Sequence, residues 1–291
     1  MAAHQRRVQV ISGVRELRGS KLPYDLYVPE GAQAPLLGVL MLHGFSSNRT
    51  SLCGHARRVA ASGRAAVLTP DGSSLMKGGT AVAQERNIAQ TVDFAAWLAE
   101  QPSVKGGPGL VLVGHSAGGA IAFEAAIAMA AAGAAPRAVF LFDPVPWART
   151  TALAPRFPSA QVPLFAVRCP ESAWNAKGSM RSLVQAIPQD QPGACVAHLP
   201  RSRHGDPVDP MPKKGLCMMR MFNLLGEPGS RVLMADLLDA FVASCCGSGS
   251  VGASGGDGDT IRSAFEARLD AMSSGSQEVE CTLVIERRWA R

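Results

Sequence analysis

With 291 residues, the chain is long enough for one large domain or two ordinary ones, and it can bury a sizeable core. Hydrophobic residues make up 47% and charged residues 18%, which excludes a disordered chain and a bare coiled coil. The 29 Lys and Arg against 23 Asp and Glu leave a net charge of +6, but they form scattered pairs such as Arg57-Arg58 and Lys213-Lys214, so nucleic acid is not an expected partner.

Residues 1–12 lack the apolar stretch of a secretory signal, so the expected location is the cytoplasm, or a plastid if the source is photosynthetic. Residues 7–11 alternate and read as an edge strand, and residues 25–28 as a second strand. Residues 36–42 form a continuous apolar run ending in His43-Gly44-Phe45, the pattern of a strand buried on both faces of a mostly parallel sheet. A helix over 55–62 closed by Gly63 follows, then a strand at 65–68, the turn Thr69-Pro70-Asp71-Gly72, and a helix over 83–100. Residues 110–113 read as a strand, broken by Gly114-His115-Ser116-Ala117-Gly118-Gly119, after which an alanine-rich helix begins. The longest apolar stretch, 118–135, is interrupted by Glu124 and reads as a buried helix. Stable membrane insertion is therefore not expected, though peripheral contact is compatible with the chain.

The alternation continues with strands at 138–142, 163–167 and 195–199 and helices at 179–186 and 230–244. Repeated strand–helix units point to an α/β fold, a doubly wound, mostly parallel sheet with helices on both faces. Residues 1–246 form the expected catalytic domain and 247–260 a Gly/Ser-rich linker. Within the tail, 261–291, residues 261–272 read as helix and 279–285 as strand. That tail either docks on the domain or hangs from it. The seven cysteines show no CxxC spacing, so neither a metal nor a cofactor is expected.

The chemistry is carried by Gly114-His115-Ser116-Ala117-Gly118, which has a strand before it and a helix after it. A sharp strand-to-helix turn strains its central residue and requires small neighbours, so Ser116 Oγ is presented at a helix N-terminus that favours developing negative charge. The competing reading is a tight turn whose serine caps the helix. A serine hydroxyl becomes a nucleophile when a histidine takes its proton and an acid orients that histidine. Of six histidines, only His204 lies on a loop downstream of Ser116, and it is the expected base. Asp143 in Phe142-Asp143-Pro144-Val145 is the favoured acid, with Glu171 as the alternative. Backbone N–H groups of Phe45 and Ala117 are the expected oxyanion donors, and His43 is expected to bond backbone in its turn. Phe45, Trp147 and Trp174 are candidates to line an apolar substrate pocket, together with the methionine-rich residues 217–222.

Leu42-His43-Gly44-Phe45, the segment 113–119, Phe142-Asp143-Pro144-Val145, the segment 169–175 with Trp174-Asn175, and His204-Gly205-Asp206 occur in that order. In these stretches the chain resembles the α/β-hydrolase superfamily, and within it the chlorophyllase branch, a cousin of cutinase-like and PET-hydrolase-like esterases. The resemblance covers about residues 8–246. It implies a triad of Ser116, Asp143 and His204, no cofactor, and cleavage of chlorophyll to chlorophyllide and phytol; general carboxylesterases share the branch. Ala117 stands where the branch usually has arginine, and Pro146-Trp147 replaces an expected glycine, differences that bear on the acyl pocket. The expected activity is a serine carboxylic-ester hydrolase acting on an apolar ester with a bulky alcohol. The alternatives are a general esterase or lipase, a thioesterase, an acyltransferase, and a non-catalytic binding protein of the same fold.

Overall fold

The computed structural model describes residues 6–33, 35–72, 81–160, 162–176, 179–187, 194–209, 224–247, 261, 263–267 and 284–286. The chain opens with a long hairpin, β1 (Val8–Leu17) and β2 (Ser20–Pro29), paired antiparallel from Val8↔Pro29 to Leu17↔Ser20. Both strands extend well beyond the short segments expected from the alternation at 7–11 and 25–28. Residues 12–17 break the alternation with Ser12-Gly13 and Arg15-Glu16, and only the cross-strand partner reveals them as strand.

Behind the hairpin lies a parallel sheet of β3 (Leu37–Leu42), β4 (Ala65–Pro70), β5 (Leu110–His115), β6 (Ala138–Phe142), β7 (Leu164–Arg168) and β8 (Ala194–His198). Among the described residues the strand order is β1-β2-β4-β3-β5-β6-β7-β8-β9, where β9 (Val284–Glu286) pairs antiparallel with β8. The central strands β3, β4, β6 and β7 are buried at every position, which explains their unbroken apolar sequences.

Helices cover both faces. One core contains Ile88, Phe94 and Leu98 of α2 (Ala81–Ala99), Ile121 and Phe123 of α3 (Ala117–Ala131), and Met180 and Leu183 of α5 (Met180–Ala186). Between α3 and α5 runs α4 (Ala148–Leu153), continued by a 3-10 turn at Ala154–Ala160; neither is evident in the sequence pattern. The opposite core contains Ala56 and Val59 of α1 (Cys53–Ala61) and Met234, Leu237 and Phe241 of α6 (Pro228–Gly247).

The tail belongs to this second core. Ile261 and Phe265 are 1% and 3% exposed, and the Phe265 ring meets Phe165 at 4.5 Å and Phe241 at 5.6 Å. Gly247, the first residue of the expected linker 247–260, instead ends α6; residues 248–260 and 268–283, which hold the rest of that linker and most of the expected tail strand, lie outside the described residues. Removing a buried phenylalanine costs about 3–5 kcal/mol. A chain ending at Cys246 is therefore expected to melt roughly 10 °C lower in a calorimetric scan. An unchanged melting temperature would show that the tail's contacts contribute nothing to stability.

Candidate active site

Strands β5 and β6 deliver the site's central groups at their carboxyl ends, next to one another in the sheet. After β5 the chain turns sharply at Ser116, whose φ of 55° and ψ of −123° lie outside the ordinary regions for an L-residue. The two glycines of the turn are required by close backbone approach. A Cβ on Gly114 would collide with the Gly118 carbonyl, and one on Gly118 with the carbonyls of Leu42 and His43. The turn is held by Ser116 N–H donating to Phe142 O at 3.0 Å and by Val145 N–H donating to Ser116 O at 3.0 Å.

Ser116 Oγ lies 2.9 Å from His204 Nε2, and His204 Nδ1 lies 2.7 Å from Asp143 Oδ2. The three side chains come from three separate loops and are 7%, 9% and 1% exposed respectively. Asp143 itself has φ of 38°, a second strained position beside the elbow. Its other oxygen, Oδ1, accepts the Cys169 backbone N–H at 3.0 Å. In this line Nδ1–H donates to the carboxylate, leaving Nε2 free to accept the serine proton. Glu171, the alternative acid, is instead half exposed and ion-paired with Arg181 at 3.0 Å.

Gly44 brings the β3 turn against Ser116, since an ideal Cβ there would stand 3.0 Å from Ser116 Cβ. His43 Nδ1–H donates to Gly44 O at 2.8 Å, and His43 Nε2 accepts Gly72 N–H at 3.2 Å. This arrangement fixes the neutral tautomer, and burial lowers the His43 pKa. A trans peptide sets C=O and N–H on opposite sides, so holding Gly44 O aims Phe45 N–H away from His43. Ala117 opens α3, where N–H groups lack intrahelical partners.

The three aromatic pocket candidates sit apart in the chain. Phe45 and Trp174 are exposed at 55% and 46%. Trp147 is half-buried, stands at the N-cap of α4 and packs on the first core. A cleft beside His43 is lined by Leu42, Asp71, Asn87, Thr91, Phe94 and Ile121, with none of the three aromatics in its wall. The methionine-rich residues 217–222 lie outside the described residues.

Two buried histidines, not assigned a role from the sequence, secure the loop that carries His204. His115 Nε2–H donates to the His204 carbonyl at 2.8 Å, and the two rings are 5.0 Å apart. His55 Nε2–H donates to Pro207 O at 3.0 Å and stacks on Phe142. Both partners are backbone carbonyls distant in sequence, which no local pattern announces. Burial, and then the neighbouring His204, push the His115 pKa down to about 3; burial also lowers that of His55.

A folded pKa below the unfolded value means that the unfolded chain binds more protons as the pH falls. The resulting stability is full above about pH 6.5 and is lost as pH drops toward 3. For His115 alone the loss between pH 6.5 and pH 4 is about 3 kcal/mol. Melting temperature is expected to fall over this window, and less steeply in His115→Gln. Parallel melting curves for the two proteins would rule out His115 as the group responsible.

Among the described residues no helix is long and apolar enough to cross a membrane. No curated protein matches the chain. The model of the alpha/beta hydrolase family matches residues 39–275. The chain is also similar to the crystal structure of a dienelactone hydrolase from Anabaena variabilis. Identity is 21% and the TM-score 0.57, over 81% of this chain and 96% of that one. The sheet order, the strained strand-to-helix turn at Ser116 and the family match over residues 39–275 agree: the chain belongs to the α/β-hydrolase family.

Proposed function

We propose that the protein is a serine hydrolase of carboxylic esters, with Ser116 as nucleophile, His204 as general base and Asp143 as the acid that orients it. The supporting observation is the hydrogen-bonded line of Ser116, His204 and Asp143 at the elbow, at 2.9 and 2.7 Å. Ser116 Oγ attacks the ester carbonyl carbon while His204 Nε2 takes its proton, and the tetrahedral oxyanion is received by the N–H groups of Phe45 and Ala117. His204 then returns the proton to the leaving alcohol as the carbon–oxygen bond breaks, giving an acyl-enzyme on Ser116. Water, deprotonated by the same histidine, releases the acid and regenerates the serine.

The substrate proposed is an apolar ester with a bulky alcohol, chlorophyll being the example that the chlorophyllase-like motifs imply. Exposed Phe45, next to the oxyanion turn, and exposed Trp174, next to Asn175, support an apolar contact surface at the site.

A panel of p-nitrophenyl esters of increasing acyl length, chlorophyll a and a simple lactone tests both parts. Ester turnover together with fluorophosphonate labelling of Ser116 is the expected result, with kcat/KM rising as the ester becomes more apolar. A folded protein that neither turns over any ester nor takes up the probe would be a binding protein of this fold. Preference for short polar esters would reject the apolar substrate while leaving the mechanism in place.

A further inference from the structure

Asp143 has a second side-chain partner besides the histidine. Asn175 is 1% exposed, and its Nδ2 lies 3.1 Å from Asp143 Oδ2, the same oxygen that accepts from His204 Nδ1. The direction of this amide is decided by its other neighbours. Its Oδ1 faces the Ser172 backbone N–H at 2.8 Å, which can only donate, and the second Nδ2 hydrogen goes to Pro170 O at 2.9 Å, which can only accept. The Asn175 carbonyl receives Ser179 N–H at 3.1 Å and Ser179 Oγ–H at 3.0 Å, anchoring the residue's backbone as well.

We propose that Asn175 is a positioning residue for the triad acid, acting through the hydrogen bond from its Nδ2 to Asp143 Oδ2; this rests on the serine-hydrolase reading above. The physical case has two parts. Cys169 N–H holds the carboxylate at Oδ1 and the histidine itself meets Oδ2; Asn175 adds a fixed donor on Oδ2, which sets the rotation about Cβ–Cγ independently of where the imidazole stands. The donated hydrogen bond also draws charge from the oxygen that faces His204 Nδ1–H. A leucine of similar size would fill the space and do neither. A purely structural role, closing the 169–175 loop, would need only the bonds to Ser172, Pro170 and Ser179.

The test uses the full chain with Asn175→Leu, which fills the same space without a donor, and with Asn175→Ala. The other titratable groups around the His204–Asp143 pair are His115 and His55, Cys169, and Asp206; all remain in both variants. On a p-nitrophenyl ester, kcat is expected to fall about 10–100-fold, with KM changing by less than about threefold. The midpoint of the kcat/KM pH profile is expected to rise by about one unit, because in both variants Asp143 Oδ2 loses a donor and keeps more of its negative charge toward His204. The downfield proton resonance of His204 Nδ1–H should move in both.

Folded variants with the wild-type pH midpoint and resonance overturn the proposal, even if kcat falls. Two variants that both fail to fold also overturn it, in favour of a loop-closing role. A wild-type protein that fluorophosphonate does not label at Ser116 overturns the serine-hydrolase reading itself. Normal labelling of wild type with unchanged variants removes only the role of Asn175.

Discussion

Ser116→Ala is expected to lower kcat by roughly 10³-fold or more while leaving the melting curve close to that of the wild type. His204→Ala should cost about as much, because nucleophile and base act as one unit across a 2.9 Å hydrogen bond. The double variant should then lose little beyond the worse single one, since neither group can work without the other. Residual activity over water would come from the oxyanion donors and substrate binding, which both substitutions leave in place. Circular dichroism with stopped-flow ester hydrolysis separates loss of chemistry from loss of fold. Near-native turnover by Ser116→Ala would reject the nucleophile and the mechanism with it. The substitution also relieves little backbone strain, because alanine at φ 55° is as constrained as serine.

Asp143→Asn is expected to lower kcat by about 10²–10⁴-fold through loss of tautomer control. An amide at this position can donate to His204 Nδ1, which would put the imidazole proton on Nε2, facing Ser116 Oγ as a donor instead of an acceptor. The Asn side chain would also set its NH₂ against either Cys169 N–H or Asn175 Nδ2, both of which now donate to the carboxylate. Some loss of stability should therefore accompany the loss of rate. Glu171→Gln is the control, with an expected change below about fivefold, because Glu171 pairs with Arg181 at the surface. If Glu171→Gln were the damaging change and Asp143→Asn mild, the acid would lie in the loop after β7.

The order and type of most elements could be read along the chain because the central strands are buried on both faces. Residues 36–42, 65–68, 138–142 and 163–167 have no polar face to preserve, so their composition alone separates them from the amphipathic helices around them. The β1–β2 hairpin was only half legible. An edge strand that faces solvent carries Arg15, Glu16 and Lys21 as readily as a loop does, and its identity comes from ten cross-strand pairs. Helix α4 was missed because six residues with two threonines show no period, and it is held by tertiary contacts: Thr150 Oγ–H donates to buried Glu124 at 2.6 Å, and Arg149 pairs with the same carboxylate at 3.0 Å.

The proposed nucleophile is written in five consecutive residues, since a strained turn between strand and helix needs glycine on both sides of Ser116 within a local span. His204 was reachable by elimination among six histidines. The acid could not be decided by the residues alone, because Asp143 and Glu171 each follow a buried strand of the same sheet. The packing of the loops sets them apart: β6 lies beside β5 in the sheet, Asp143 has φ 38° and meets His204, and Glu171 pairs with Arg181. His115, His55 and Asn175 form bonds across 89, 152 and 32 residues respectively, a separation at which local sequence carries no signal. The sequence by itself thus determined the layered α/β architecture and the elbow, whose physical causes are burial and backbone sterics within a few residues. The tertiary structure alone placed Asp143 against His204, the groups around that carboxylate, and Phe265 on the second core, because each depends on which distant loops the sheet order brings together.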